Sequence, residues 1–306
     1  MPYDIAVNIT DPQYMGIYNS RKKHVCDISG VINRAKLHGV KMVFLGISLK
    51  SSFESIALAN EYKEYCTIGI HPGSTETSSK EDVNGLIKVL DSGNIKDKRS
   101  FLHEDISGLV DDASLSHVDC IIGIGEIGLD YCRDYSPKEK QKEIFKEILD
   151  KTHRYNMPYI FHYRDCEEDF HEIIDQYKVA GVIHSYTGSL KEMEKLVSKG
   201  YYIGINGASI RENVHTSVIE NIPLDKLLLE TDAPWCTVRP TCTYHKHTHE
   251  YLKPSKKWVE DHPVKGRNEP VNLHQVIDIV AAIKNIERSR LVEIIDRNFK
   301  RLFHLQ

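Results

Sequence analysis

Cys120-Ile121-Ile122-Gly123-Ile124-Gly125-Glu126 is a β-branched apolar run that closes on small residues and a carboxylate. A short, isoleucine-rich run of this kind reads as a buried strand. Three other stretches repeat the pattern: Tyr159-Ile160-Phe161-His162, Gly181-Val182-Ile183-His184, and Leu227-Leu228-Leu229-Glu230-Thr231-Asp232. A parallel barrel carries its chemistry at the carboxyl ends of its strands, so four such runs can assemble one site from residues far apart in sequence. Carboxylate with neutral imidazole is a ligand set for a divalent hydrolytic metal. A single strand-ending histidine is more often a hydrogen-bonded structural residue. Four acidic or imidazole groups at corresponding places resist that explanation, because burying uncompensated carboxylates is costly.

Outward from these runs, candidate strands fall at residues 4–7, 41–46, 66–71, 121–126, 159–162, 181–184, 201–205 and 227–231. Apolar residues recur at helical spacing over 28–38, 52–65, 82–90, 138–155, 168–177, 190–199 and 212–221. Eight alternating units predict an α/β chain folded as a single (β/α)8 TIM barrel spanning 1–306, with closing helices at 273–284 and 288–305. Ser136-Pro137 followed by Glu139 reads as a helix start, and Gly39, Gly181 and Gly200 as helix stops. Residues 234–270 form a long loop rich in proline, histidine and lysine, and 92–117 read as an insertion. There is no internal repeat and no interdomain linker.

The chain has 306 residues, 41% of them hydrophobic, and a formal charge of -4. That charge argues against clamping duplex nucleic acid on a strongly basic surface, so any polyanion must be met locally. Residues 1–10 lack a signal-peptide pattern, and no stretch approaches the roughly 20 apolar residues of a membrane span. The expectation is a soluble, cytoplasmic or nuclear monomer. Seven cysteines, an odd number with no Cys-x-x-Cys pair, read as reduced thiols.

The Gly-Ile-Gly-Glu126-Ile-Gly stretch could be taken for a phosphate-binding glycine loop, but its spacing fits neither the P-loop nor the dinucleotide fingerprint. Read together, Asp4-Ile-Ala-Val-Asn8-Ile-Thr10-Asp11, Gly69-Ile-His71-Pro72, Gly125-Glu126-Ile-Gly-Leu-Asp130-Tyr, Pro158-Tyr-Ile-Phe-His162-Tyr-Arg164-Asp165, His184-Ser-Tyr-Thr-Gly188, Tyr202-Ile-Gly-Ile-Asn-Gly207, Leu229-Glu230-Thr-Asp232-Ala-Pro-Trp235 and Arg267-Asn-Glu-Pro270 resemble the TatD-type metal-dependent deoxyribonucleases nearly end to end. The resemblance implies a TIM barrel, one or two divalent ions per chain, and 3′-to-5′ exonuclease activity on single-stranded DNA, with RNA as a further substrate. Mg²⁺ or Mn²⁺ is favoured and Zn²⁺ is an alternative. Glu126, His162, His184 and Asp232 correspond to the family's metal ligands. Many relatives carry His-x-His at the end of the first strand; Asn8 and Thr10 stand there in this chain.

Phosphodiester hydrolysis needs a nucleophile, neutralisation of the non-bridging oxygens and stabilisation of the leaving oxygen. Glu126 is expected as a ligand able to bridge two metal positions, His162 and His184 as ligands of the better-defined one. Asp232 is expected to bind metal and orient the attacking water. His71 can contact phosphate or protonate the leaving group, or serve only as a supporting hydrogen bond. Arg164 suits a bidentate phosphate contact, against a structural pair with Asp165 or Asp130. Arg267 and Asn268 can position the substrate backbone, or merely anchor their loop. Lys253, Lys256, Lys257, Lys265 and Arg267, interleaved with Trp258, Tyr251 and Tyr244, suit single-stranded nucleic acid or simply a solvated loop. His245, His247 and His249 read as a surface run rather than a metal site.

These features point to a nuclease acting in DNA repair or DNA breakdown. Two other classes compete with it. One is an amidohydrolase-like enzyme of small esters or amides, which a carboxylated lysine at the fourth strand end would favour where Glu126 stands. The other is a non-catalytic nucleic-acid-binding protein.

Overall fold

The computed structural model describes residues 1–92, 98–115, 117–211 and 213–306. Part of the expected insertion, and position 212 at the head of an expected helix, lie outside the described residues. Eight strands, β1 (Tyr3–Val7), β2 (Lys41–Phe44), β3 (Tyr65–Ile68), β4 (Ile121–Asp130), β5 (Tyr159–Arg164), β6 (Gly181–Ile183), β7 (Tyr202–Ile205) and β8 (Leu227–Leu229), form one sheet in chain order. The helices are α1 (Ile28–Leu37), α2 (Leu49–Tyr62), α3 (Lys80–Ser92), α4 (Glu104–Ser107), α5 (Lys138–Thr152), α6 (Glu167–Ile174), α7 (Leu190–Ser198), α8 (Asn213–Asn221), α9 (Leu273–Lys284) and α10 (Arg288–Leu302). This is the (β/α)8 barrel class, with α9 and α10 as the closing helices.

The backbone divides into two compact units, one of residues 1–43 with 185–306 and one of residues 44–184. In the first, β7 and β8 pair in parallel with Ile203 opposite Leu227. The end of β1 meets the segment after β8 through a parallel bridge between Val7 and Ala233, and Asn8 N donates to Ala233 O at 2.8 Å. Asp4 is fully buried and accepts the Thr231 N–H at 2.9 Å and the Thr231 hydroxyl. Burial pushes its carboxyl well above the usual range, and these hydrogen bonds join β1 to the segment carrying Asp232.

In the second unit β3, β4, β5 and β6 pair in parallel. Strand β4 is buried throughout and runs four residues past the expected end, to Asp130. Strand β3 stops at Ile68, leaving His71 in the following loop, and β6 stops at Ile183, just before His184. Behind β4 and β5, Phe161 meets Phe145 and Phe170 edge-on at centroid distances of 6.1 and 5.5 Å. Such aromatic pairs add about 0.5–1.5 kcal/mol beyond their buried area.

Helix starts differ from the sequence reading for local reasons. Helix α2 begins three residues early because Ser48 accepts from Ser51 N at 3.1 Å and Ser51 Oγ accepts from Ser48 N at 2.8 Å, a capping box with serine in place of Glu or Gln. Ser136 does not cap α5; its hydroxyl accepts from Glu76 N at 2.9 Å, and Pro137 opens the helix. Gly39 and Gly200 do follow helices in left-handed backbone, with φ of +73° and +98°. Gly181 instead begins β6, where a Cβ would stand 2.6 Å from Tyr159 O. All seven cysteines are free thiols. Among the described residues no helix is long and apolar enough to cross a membrane.

Candidate active site

Alternation along a strand puts Glu126, Gly128 and Asp130 on one face of β4, and His162 and Arg164 on one face of β5. The register sets Gly128 beside His162 and Asp130 beside Arg164. Gly128 has φ +142°, and a Cβ there would lie 2.0 Å from His162 O, so only glycine lets the two backbones approach this closely. Glu126 Oε1 lies 2.6 Å from His162 Nδ1, 2.8 Å from His184 Nε2 and 3.5 Å from His71 Nε2. The second unit therefore rings one buried carboxylate with the imidazoles of His71, His162 and His184.

Burial alone would raise the Glu126 pKa, but His184, His71 and the hydrogen bonds from His162 and His184 together outweigh it and hold the carboxyl well below its usual range. Glu126 is thus an anion among imidazole nitrogens. His162 Nε2 meets Asp130 Oδ2 at 3.0 Å, and Asp130 Oδ1 accepts from the backbones of Cys132 and Arg133 at 3.0 and 3.1 Å. A carboxylate that takes one ring N–H leaves the other nitrogen to ligate, the usual support of a metal-binding histidine. Two bare acceptors 2.6 Å apart repel unless a proton or a cation lies between them. Burial works against a charged His162, yet hydrogen bonds to Asp130 and Glu126 overcome it and raise its pKa, so the carboxylates favour a positive charge at this place. One carboxylate oxygen and two orientable imidazoles fit a divalent ion, which would supply that charge.

His71 behaves differently. Its Nδ1 accepts the Gly73 N–H at 2.9 Å, so a neutral ring carries its proton on Nε2, the atom facing His162 and Glu126. Burial, helped by His162 and His184, pulls its pKa down to about 4. One candidate ligand atom each from His71, Glu126 and His162 lies within 4.8 Å of the others, but an Nε2 that carries its proton offers no lone pair. His71 is a neutral hydrogen-bond donor rather than a ligand. Arg164 forms neither of the expected pairs with Asp130 and Asp165, and its half-buried guanidinium has no hydrogen-bond or ion-pair partner among the described residues.

In the first unit Asp232 has a left-handed φ of 52°. Its Oδ1 accepts from Asn8 Nδ2 at 2.9 Å and its Oδ2 from the Cys236 thiol at 3.1 Å. Asn8 thus supplies a neutral donor to the acid, and Thr10 is buried. Arg267 and Asn268 do not present themselves to substrate. The Arg267 guanidinium bonds Asp27 and, at 2.8 Å, Glu269. Arg34 holds the same acids at 3.0 and 2.9 Å. Asn268 Nδ2 donates to Thr231 O and Trp235 O at 3.1 and 2.7 Å. Buried carboxylates and backbone carbonyls claim both side chains, so they anchor their loop. Trp258 is likewise occupied, stacked 5.8 Å from the His24 ring. Lys253, Lys256, Lys257 and Lys265 remain exposed, as does His249, whose Nδ1 reaches Asp278 at 3.3 Å.

Two residues escaped the sequence reading of the site. Asp130 was readable as the third member of the Glu126, Gly128, Asp130 alternation once the strand is allowed to continue. Cys236 carries no such signal, because its role rests on the turn after Asp232.

The chain belongs to the TatD related DNase family, whose pattern matches residues 3–304. It is 36% identical to "Deoxyribonuclease Tat-D" of Schizosaccharomyces pombe over 97% of this chain and 93% of that protein. It is 28% identical to the "3'-5' ssDNA/RNA exonuclease TatD" of Pectobacterium atrosepticum over 99% of each. Among solved structures, an uncharacterized amidohydrolase from Saccharomyces cerevisiae superposes with a TM-score of 0.83 at 28% identity, covering 98% of this chain and 99% of that one.

Proposed function

We propose that the protein is a divalent-metal-dependent deoxyribonuclease that removes nucleotides from the 3′ ends of single-stranded DNA, with RNA as a secondary substrate. The observation that carries this reading is the buried Glu126 carboxylate ringed by His162, His184 and His71, with Asp130 behind His162. Relatives named deoxyribonuclease and 3′-5′ exonuclease along almost the whole chain support it. Glu126, His162 and His184 would hold the ion, and the sequence resemblance implies Asp232 as a further ligand. A divalent ion, Mg²⁺ or Mn²⁺ for preference, would supply Lewis-acid stabilisation of charge building on the phosphoryl group.

The chain's own groups do the rest. Asp130 keeps the His162 ring in place. Asp232, steadied by Asn8 and Cys236, orients water by accepting a hydrogen bond. His71 Nε2–H donates to a phosphate oxygen; with a pKa near 4 it has little charge to offer as an acid at neutral pH. Arg164 pairs with phosphate, a contact that binds without reading sequence. We place the protein, as a monomer, in the cytoplasm or nucleus, trimming ends in repair or DNA breakdown.

The test is purified protein on end-labelled single-stranded DNA, duplex DNA and RNA with Mg²⁺, Mn²⁺, Zn²⁺ or EDTA. The expected result is 3′ shortening of the single strand, lost on chelation and restored by Mg²⁺ or Mn²⁺. Ladders unchanged by EDTA, or cleavage of a circular single strand, overturn it; hydrolysis of small amides or esters alone would favour the amidohydrolase alternative that one structural relative's name suggests.

A further inference from the structure

The chain has two tryptophans, and they are held in opposite ways. The Nε1 of Trp258 is buried and its ring lies on His24, whereas Trp235 is 54% exposed. The backbone that carries the exposed Trp235 indole is held in place by hydrogen bonds. Trp235 N donates to Asp232 O at 2.9 Å, Trp235 O accepts from Asn268 Nδ2 at 2.7 Å, and Asn268 N donates to Pro234 O at 3.0 Å. The same buried Asn268 that sequence reading assigned to substrate thus fixes the residue three positions after Asp232.

Trp235 lines a cavity of about 470 Å³, within the range of small-ligand sites. Other lining residues come from the hairpin of Ile17–Tyr18 and Arg21–Lys22 and the turn before it: Ile17, Tyr18, Asn19, Gln13 and Asp11. Asn19 and Ser20 both have positive φ, 48° and 59°, the pattern of a tight two-residue hairpin turn, so this side of the cavity is also a defined surface. The Tyr18 hydroxyl is engaged with His24 Nε2 at 3.2 Å, so its ring is held. No lysine or arginine lines the cavity, and Asp11 would repel a phosphate. The chemistry offered is a flat aromatic face, apolar walls, and amide and carboxylate groups that can meet ring N–H and carbonyl edges.

We propose that this cavity is a nucleobase subsite, with Trp235 as the stacking platform for one base of the single strand whose phosphodiester is cut. The assignment rests on the nuclease reading above and adds to it a substrate-binding contact that holds a base of any identity. A base in the cavity keeps its phosphate outside, away from Asp11, on a segment that also carries Asp232.

The experiment uses the full chain. Stacking on an aromatic side chain is worth about 1–3 kcal/mol per base by alanine substitution, so Trp235→Ala should raise KM for an oligothymidylate about tenfold or more, with the smaller change in kcat. Trp235→Phe should recover most of the loss. Oligonucleotides carrying one abasic residue at each of the last three 3′ positions in turn should identify a position where wild type discriminates and Trp235→Ala does not. In parallel, Trp235 fluorescence in a Trp258→Phe background should quench saturably with a thymidine trinucleotide in EDTA. If wild type cuts DNA but Trp235→Ala leaves KM and abasic discrimination unchanged, the subsite is overturned and the nuclease reading survives. If wild type cuts no DNA, the nuclease reading fails and the subsite of a cleaved strand falls with it; saturable quenching would then show a nucleotide-binding cavity without cleavage, and no quenching would remove nucleotide binding there as well.

Discussion

At the scale of single residues, Glu126 should be the least replaceable. Glu126→Gln keeps the shape but removes the charge at the centre of three imidazoles. Turnover should fall at least about a hundredfold, roughly 2.7 kcal/mol of barrier, and metal content by elemental analysis should fall with it. Near-normal turnover with full metal would return Glu126 to a packing role. Arg164 should behave as a substrate contact because its guanidinium is otherwise unengaged. Arg164→Ala should weaken DNA binding and reduce the slope of log affinity against log salt by about 0.7 for one lost phosphate contact on a single strand. A large drop in Tm at an unchanged slope would argue for a structural role. Glu126, His162 and His184 were legible because each closes an apolar run, a local feature. The proton position on His71 was not, since the Gly73 N–H decides which ring nitrogen is bare.

Among elements, strand centres were readable and their ends were not. Apolar runs report where a strand is buried, but β4 continues to Asp130 because Gly128 admits the β5 backbone, which depends on the neighbouring strand. The same non-local dependence misled the reading of Arg267. Its acceptor Asp27 lies 240 residues away, and no spacing rule joins the two. Packed between α1 and the loop before α9, Asp27, Arg34, Arg267 and Glu269 form a buried set of two acids and two guanidinium groups. Arg267→Gln leaves two buried carboxylates with one cation, and breaking such a set costs roughly 3–5 kcal/mol. Urea unfolding should register that loss, while the salt dependence of DNA binding in the folded fraction stays at the wild-type value. The reverse pattern would restore Arg267 as a phosphate contact.

For the molecule as a whole, eight strand-and-helix units were visible in hydrophobic periodicity, which is why the barrel class could be read before any side chain was placed. A formal charge of -4 supplies no global attraction to polyanions, so on the proposed reading affinity rests on local contacts and on an ion at Glu126. This couples metal to fold. On the proposed reading, a buried carboxylate and imidazoles gathered at strand ends would bind an ion in the native state far better than in the unfolded chain, so free metal at about a hundred times its Kd should add roughly 2.7 kcal/mol of stability. Mn²⁺ titrated into chelated protein should therefore raise Tm progressively, and EDTA should reverse the shift. Glu126→Gln should show a much smaller shift, and Arg267→Gln a lower starting Tm with a near-normal one, because the first touches the ligands and the second only the scaffold. A wild-type Tm indifferent to Mn²⁺, Mg²⁺ and Zn²⁺ would mean that no cation enters between His162 and Glu126, and the metal assignment would fall with it.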